Sequence, residues 1–212
     1  MSIKPHFETY RYTTRVCRAG SQSIVECRLP GGEIAGVLAI HARAVPAECV
    51  CADGEVRYNG KLFLSVVYEG ADRKVCRAER GAEFSHRAEN PAVTPACFAR
   101  AAFRTDNVSW RREGSGLYIS VIVGADIDVY GTVPAEDLRG GEGIVAKRKG
   151  QPIVKTVCVS GEAETDDEFS TDYIGDILLH SENVHIARVD AEAGQVCVQG
   201  EVALNICAQK GD

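Results

Sequence analysis

The sequence VRYNGKLFLSVVY at residues 56–68 returns 140 positions later as VCVQGEVALNICA at residues 196–208. Gly200 stands where Gly60 did, and Leu204 where Leu64 did. The match extends upstream without a gap. Ile174 falls on Ile34, Ile177 on Val37, Leu178 on Leu38, Gly194 on Gly54 and Val196 on Val56. Such a repeat constrains the architecture more than any single residue does, because one backbone is being built twice. Glycines at both matched positions mark places where the chain needs a conformation that other residues resist.

The repeated unit reads as β-structure. Asp53-Gly54 is a turn signal leading into the strand at Val56, and Asn59-Gly60 reads as a second turn within a hairpin. Leu62, Leu64, Val66 and Tyr68 then alternate on one face. The clearest alternation runs over residues 117–130, with Ile119, Val121, Val123, Ala125, Ile127 and Val129 facing one way. Asp126 and Asp128 face the other way, as residues of a solvated face rather than a divalent-metal site. Residues 23–29, 74–78 and 96–110 have strand character, and residues 1–15 suit a first strand or a loose arm. Pro46 confines its run to a sheet edge or a bulge. Ile34, Val37 and Leu38 lie at helical spacing, as do Ile174, Ile177 and Leu178. The expected fold is all-β, with mainly antiparallel sandwich or barrel-like sheets and one short helical turn per repeat.

The domain division that follows is 1–137 for a first, complete β domain, 138–151 for a linker and 152–212 for a second, shorter repeat. The linker LRGGEGIVAKRKGQ is rich in glycine and charge. TVCVSG at 156–161 echoes RVCRAG at 15–20 and opens the second unit. Glu162, Glu164, Asp166, Asp167 and Glu168 read as a solvated strand-and-turn edge. A unit of ~60 residues is marginal as an independent core. It is expected to dock on the first unit or to complete its sheet with another chain, an open sheet edge being a template for pairing.

Little in the chain points to chemistry. A net charge of −6 argues against nucleic acid as a partner. Lys147-Arg148-Lys149 is a run of three basic residues that reads as solvated linker. No segment is apolar enough to span a membrane or to form the core of a signal peptide, so the expected location is the cytoplasm. Nine cysteines are scattered without a C-x-x-C pair, which predicts structural thiols in a reducing compartment and no metal or other cofactor. His180 and His185 are five apart, a spacing that suits neither a helical ligand pair nor one strand face. Gly140-Gly141-Glu142-Gly143 lacks the Lys-Ser/Thr of a phosphate loop. No catalytic residues are expected. Trp110, the only tryptophan, with Arg111 and Arg112 behind it, is the candidate for partner binding, against a plain role in covering the core.

The strings GSQSIVECRLPGGEIAGVLAIHARAV and VRYNGKLFLSVVYEG, then AEFSHRAEN and the long alternating strand, resemble the SPOCS domain of spore-forming Firmicutes. The matching features are Leu29-Pro30, the Ile34 to Leu38 step, the Gly60 to Tyr68 strand, Phe84 and the 117–130 strand. The resemblance covers roughly 16–132 in full and 156–208 in part, and order and spacing carry it rather than any single motif. It implies a contribution to spore-coat assembly in the mother cell and brings no catalytic residues with it. Two departures stand out: Ala208 replaces the strand-ending Tyr68, and the LysM module of coat-assembly members is not found, so its partner is not carried over.

Two functional classes follow. The first is a non-enzymatic structural protein that contributes to the spore envelope by self-association or by binding other envelope proteins. The second is a β-sandwich that binds a small molecule or glycan.

Overall fold

A computed structural model describes residues 4–30, 34–145, 147, 149, 150, 161, 164–168, 170 and 174–210. The described residues form eight strands: β1 (Lys4–Leu29), β2 (Ile34–Ala52), β3 (Glu55–Gly70), β4 (Val75–Glu89), β5 (Phe98–Glu113), β6 (Gly116–Glu142), β7 (Ile174–Glu192) and β8 (Gln195–Lys210). They form two three-stranded antiparallel sheets, ordered β1-β6-β5 and β2-β3-β4, and a separate two-stranded sheet of β7 and β8. The sheets do not close into a barrel.

The two strands with the strictest alternation are the two central ones. β6 turns Leu117, Ile119, Val121, Val123, Ala125, Ile127 and Val129 inward, and all are almost completely buried. β3 opposes them with Val56, Tyr58, Leu62, Leu64 and Val66. The first three-stranded sheet therefore packs face to face on the second. One core cluster gathers Leu62, Leu64, Ile119 and Val121, and the other gathers Val56, Tyr58, Ile127 and Val129. Each such aliphatic side chain contributes about 1.5–3 kcal/mol relative to exposure. Val93, on the turn between β4 and β5, plugs the second cluster, held by the Gly54 amide donating to its carbonyl at 3.0 Å.

Both expected helical turns are strand instead. β2 carries register shifts at Ile34/Gly36, Val37/Ala39 and Pro46/Glu48. Each inserts an extra residue on β2 and resets which side chain faces inward. Two close bulges turn a period of two into the three-and-four spacing of a helix, which is what residues 34–38 show. β7 repeats the pattern at Ile174/Ile177, Ile177/Leu179 and Ile186/Arg188. Pro46 lies at the third bulge, on an edge strand, where its missing amide breaks no ladder.

Asn59-Gly60 is not a turn either. β3 runs through it without interruption, opposite the Pro46/Glu48 bulge, where the Asn59 Oδ1 accepts from the Glu48 amide at 2.8 Å. The hairpin turn lies at Asp53-Gly54, with Gly54 at φ 75°, and its counterpart Gly194 has φ 86°. The first residues assigned to the linker, 138–142, belong to β6, where Leu138 pairs with Phe7 and Glu142 with Lys4. Residues 1–15 are thus no loose arm from Lys4 onward: they and the end of β6 form a two-stranded ribbon reaching past β5. In the acidic segment, residues 164–168 are exposed and outside any strand. Residues 156–160 of the second unit's opening and Glu162 lie outside the described residues.

Candidate interaction surface

The hairpin of β7 and β8 is the repeated copy of β2 and β3, and its side chains sort cleanly between two faces. One face of β8 carries Val196, Val198, Gly200, Val202, Leu204 and Ile206; the other carries Gln195, Cys197, Gln199, Glu201, Ala203 and Asn205. Across the ladder, Val184 faces Val202, Ile186 faces Gly200 and Val189 faces Val198. In β3 the same face is the core. In the β7–β8 hairpin it lies open, with Val184 at 70%, Val198 at 60% and Leu204 at 49% exposure, against 2% for Leu64. Contiguous apolar surface left exposed in this way marks an interaction site.

Its edges are open as well. β3 is hydrogen-bonded on both sides, to β2 and β4. β8, its counterpart, is paired only with β7 among the described residues. Unpaired amides and carbonyls along a strand edge accept another strand readily.

The hairpin meets the sandwich through β7, against the outer face of the second sheet. The Arg43 Nη1 lies 2.6 Å from the Glu182 Oε1, and the Arg77 Nη1 donates to the Ile177 carbonyl at 2.9 Å. Arg77 also pairs with Glu79, which accepts from the Ser65 hydroxyl at 3.2 Å. Arg43, Ser65, Glu79 and Glu182, with His41, Phe63 and His180, line a cleft of about 230 Å³. The Arg77 hydrogen bond holds the Glu79 carboxyl below the usual carboxylate range. For Glu182, burial pushes upward, but the Arg43 charge and hydrogen bonds outweigh it and leave the carboxyl lowered. Ser65 thus donates to a carboxylate that is a weak base, rather than to a histidine. The buried Arg77 Nε has no hydrogen-bond partner among the described residues.

The partner-binding candidates do not form one site. Arg111 stacks over the Tyr118 ring at 4.2 Å on the outer face of the first sheet. Arg112 donates to the Ala35 carbonyl and so ties β5 to β2. Trp110, opposite Ile119 on β5, is 45% exposed. Open grooves of about 590 and 530 Å³ lie around Tyr58–His86 and Gly60–Phe84, and neither is lined by Trp110.

Cys17, Cys49, Cys51 and Cys97 collect around the second core cluster. Burial pushes the thiols of Cys17, Cys49 and Cys51 up. They pack as small apolar residues. No group of three or more His, Cys, Asp or Glu side chains suited to a metal ion occurs among the described residues. Asp126 pairs with Arg104, and Asp128 with Arg15 and Arg18, on the side of β6 away from the core. No described helix is long and apolar enough to cross a membrane. Lys147 and Lys149 are exposed, and Arg148 lies outside the described residues.

Sequence reasoning expected the second unit to dock on the first or to complete its sheet with another chain. It missed that Val184, Ile186 and Val189 extend the apolar face across β7, and it missed the Arg43–Glu182 junction. The alternation of β8 against β7 holds the first signal; nothing in the sequence pairs residues 139 positions apart. The chain matches no family model, no curated protein and no solved structure.

Proposed function

We propose that this chain is a non-enzymatic assembly protein that joins other protein subunits through the β7–β8 hairpin. One observation carries the proposal: the hairpin face that forms the core in β2–β3 is open to solvent in β7–β8, beside a strand edge with no partner among the described residues. Burying such a face against protein releases water from aliphatic surface, the main favourable contribution to association. The opposite face of β8 carries the polar side chains of Gln195, Gln199 and Glu201. The acidic net charge disfavours nucleic acid as the partner. Placement in the spore envelope, on the mother-cell side, rests on the SPOCS resemblance alone.

The alternative, a sandwich binding a small molecule or glycan between its sheets, has less to support it. The space between the sheets is filled by Leu62, Leu64, Ile119, Val121 and their neighbours. Among the described residues, outer grooves around Tyr58–His86 and Gly60–Phe84 remain for a ligand.

Light scattering coupled to size exclusion, over a range of concentrations, tests the assembly role. The full chain is expected to gain mass with concentration, and Val198→Glu with Val202→Glu to abolish the gain. A full chain that stays monomeric throughout, and captures no envelope protein, removes the proposal. A fluorescent fusion that remains diffuse in a sporulating mother cell removes the envelope assignment.

A further inference from the structure

We infer that the occupant of the open β8 edge is β8 of a second copy, running antiparallel about a twofold axis at Gly200. This rests on the assembly role proposed above and names its partner and register.

Four observations converge. First, the fold already shows what belongs at this edge. β3, the counterpart of β8, takes β4 there, antiparallel, with Gly60 opposite Phe84. Second, β8 is the regular strand of its hairpin. All three register shifts place their extra residues on β7. Bulges twist an edge away from further pairing, so β7 is the protected edge and β8 the receptive one. Third, β7 is engaged elsewhere, through Glu182 with Arg43 and the Ile177 carbonyl with Arg77.

Fourth, β8 is nearly palindromic about Gly200. Antiparallel pairing there sets Val198 against Val202 of the second copy, and Val196 against Leu204. On the other face, Gln199 meets Glu201, Cys197 meets Ala203, and Gln195 meets Asn205. From Gln195 to Asn205 every apolar residue meets an apolar one, and no carboxylate faces another. Like charges directly opposite would oppose the pairing. A twofold contact must be complementary to itself, and this register is. The product is a four-stranded sheet that merges the two apolar hairpin faces into one.

The test is a cross-link that only this register permits. Directly opposed residues of antiparallel strands lie about 4.5–5.5 Å apart at Cα, within disulfide range. Cys197 and Ala203 face each other across the proposed axis, and both side chains are exposed. Within one chain they are six residues apart on one strand, about 20 Å, and cannot join. The full chain carrying Ala203→Cys is oxidised mildly, and its disulfides are mapped by peptide mass spectrometry without reduction. The expected product is a covalent dimer joined by Cys197 to position 203 of the second copy, with Ala203→Ser giving none.

A dimer by light scattering that lacks this link overturns the β8 pairing and leaves the assembly role standing. Hairpins packed face to face would give that result, because Cys197 and position 203 would then point outward on opposite sides. A link from Cys197 to Cys207 in its place overturns the Gly200 axis. A chain that stays monomeric overturns this inference, and the assembly role falls with it only when no envelope protein is captured either.

Discussion

Leu64 and Leu204 hold the same place in the repeated hairpin, and one is 2% exposed while the other is 49% exposed. Leu64 is sealed by the facing sheet, in a cluster with Ile119 and Val121. Leu204 has the same backbone and the same face without the cover. Leu64→Ala is therefore expected to cost about 2–5 kcal/mol, the range for truncating a buried leucine. Leu204→Ala in dilute monomer is expected to cost less than ~1 kcal/mol and to weaken association instead. Urea denaturation at low concentration measures the first pair of values, and light scattering at high concentration measures the second. Equal losses of stability would mean that the hairpin face is covered in the isolated chain.

Gly60 and Gly200 are likewise equivalent, for a reason of space rather than of turn geometry. A Cβ on Gly60 would fall 2.7 Å from the Val45 carbonyl oxygen and 2.9 Å from the Phe84 ring. On Gly200 it would collide with the carbonyl oxygen of His185, the counterpart of Val45. The bulged strand presses its backbone onto its neighbour at the same point in both copies. Gly60→Ala is expected to lower stability by about 1–3 kcal/mol, the cost of overpacking. Gly36→Ala, where a Cβ meets nothing within 4 Å, serves as the control and is expected to be neutral or slightly stabilising. Urea midpoints that do not separate the two variants would remove the close-approach explanation for the repeated glycine.

The same backbone crowding explains what the sequence hid. Alternation revealed β3 and β6 because each is a regular central strand whose side chains keep a period of two from one end of the core to the other. β2 and β7 were obscured by bulges that break that period, so Ile34, Val37 and Leu38 imitate one turn of helix. Asn59-Gly60 has the composition of a hairpin turn, and its glycine is required by a bulge on the neighbouring strand, which local sequence does not display. The open face of β8 was legible as an unfinished copy of β3. Its junction with the sandwich was not, since Arg43 and Glu182 lie in different copies and each reads as an ordinary solvated charge.

Cysteine reactivity separates the two units. Cys27 is buried beside the first core cluster, where burial pushes its thiol up despite the Arg80 charge. Cys197 and Cys207 are exposed on the hairpin. Since the thiolate is the reactive form, a brief iodoacetamide pulse at pH 8 is expected to label Cys197 and Cys207 first and Cys27 last. Peptide mass spectrometry gives the order. Rapid labelling of Cys27 under native conditions would show that the sandwich opens readily.

Acid is expected to loosen the hairpin from the sandwich before the sandwich unfolds. The Glu182 carboxyl is lowered in the folded chain, burial opposing and the Arg43 charge prevailing. A lowered carboxylate stabilises the folded form above its unfolded value, about 4.3, and the contribution is lost as pH falls through the folded value. Both partners are partly solvated, so the pair is worth at most about 1 kcal/mol, and less in high salt. That is small for the whole chain and large for a hairpin held by so few contacts. His41, His180 and Glu79 line the same cleft, and Glu182→Gln isolates the pair from them. Hydrogen exchange of the β7 amides should accelerate between pH 5 and pH 3, after correction for intrinsic rates, while those of β3 stay protected. Glu182→Gln should already exchange faster at pH 6 and change less with acid. If β7 and β3 lose protection together, the hairpin and the sandwich open as one unit.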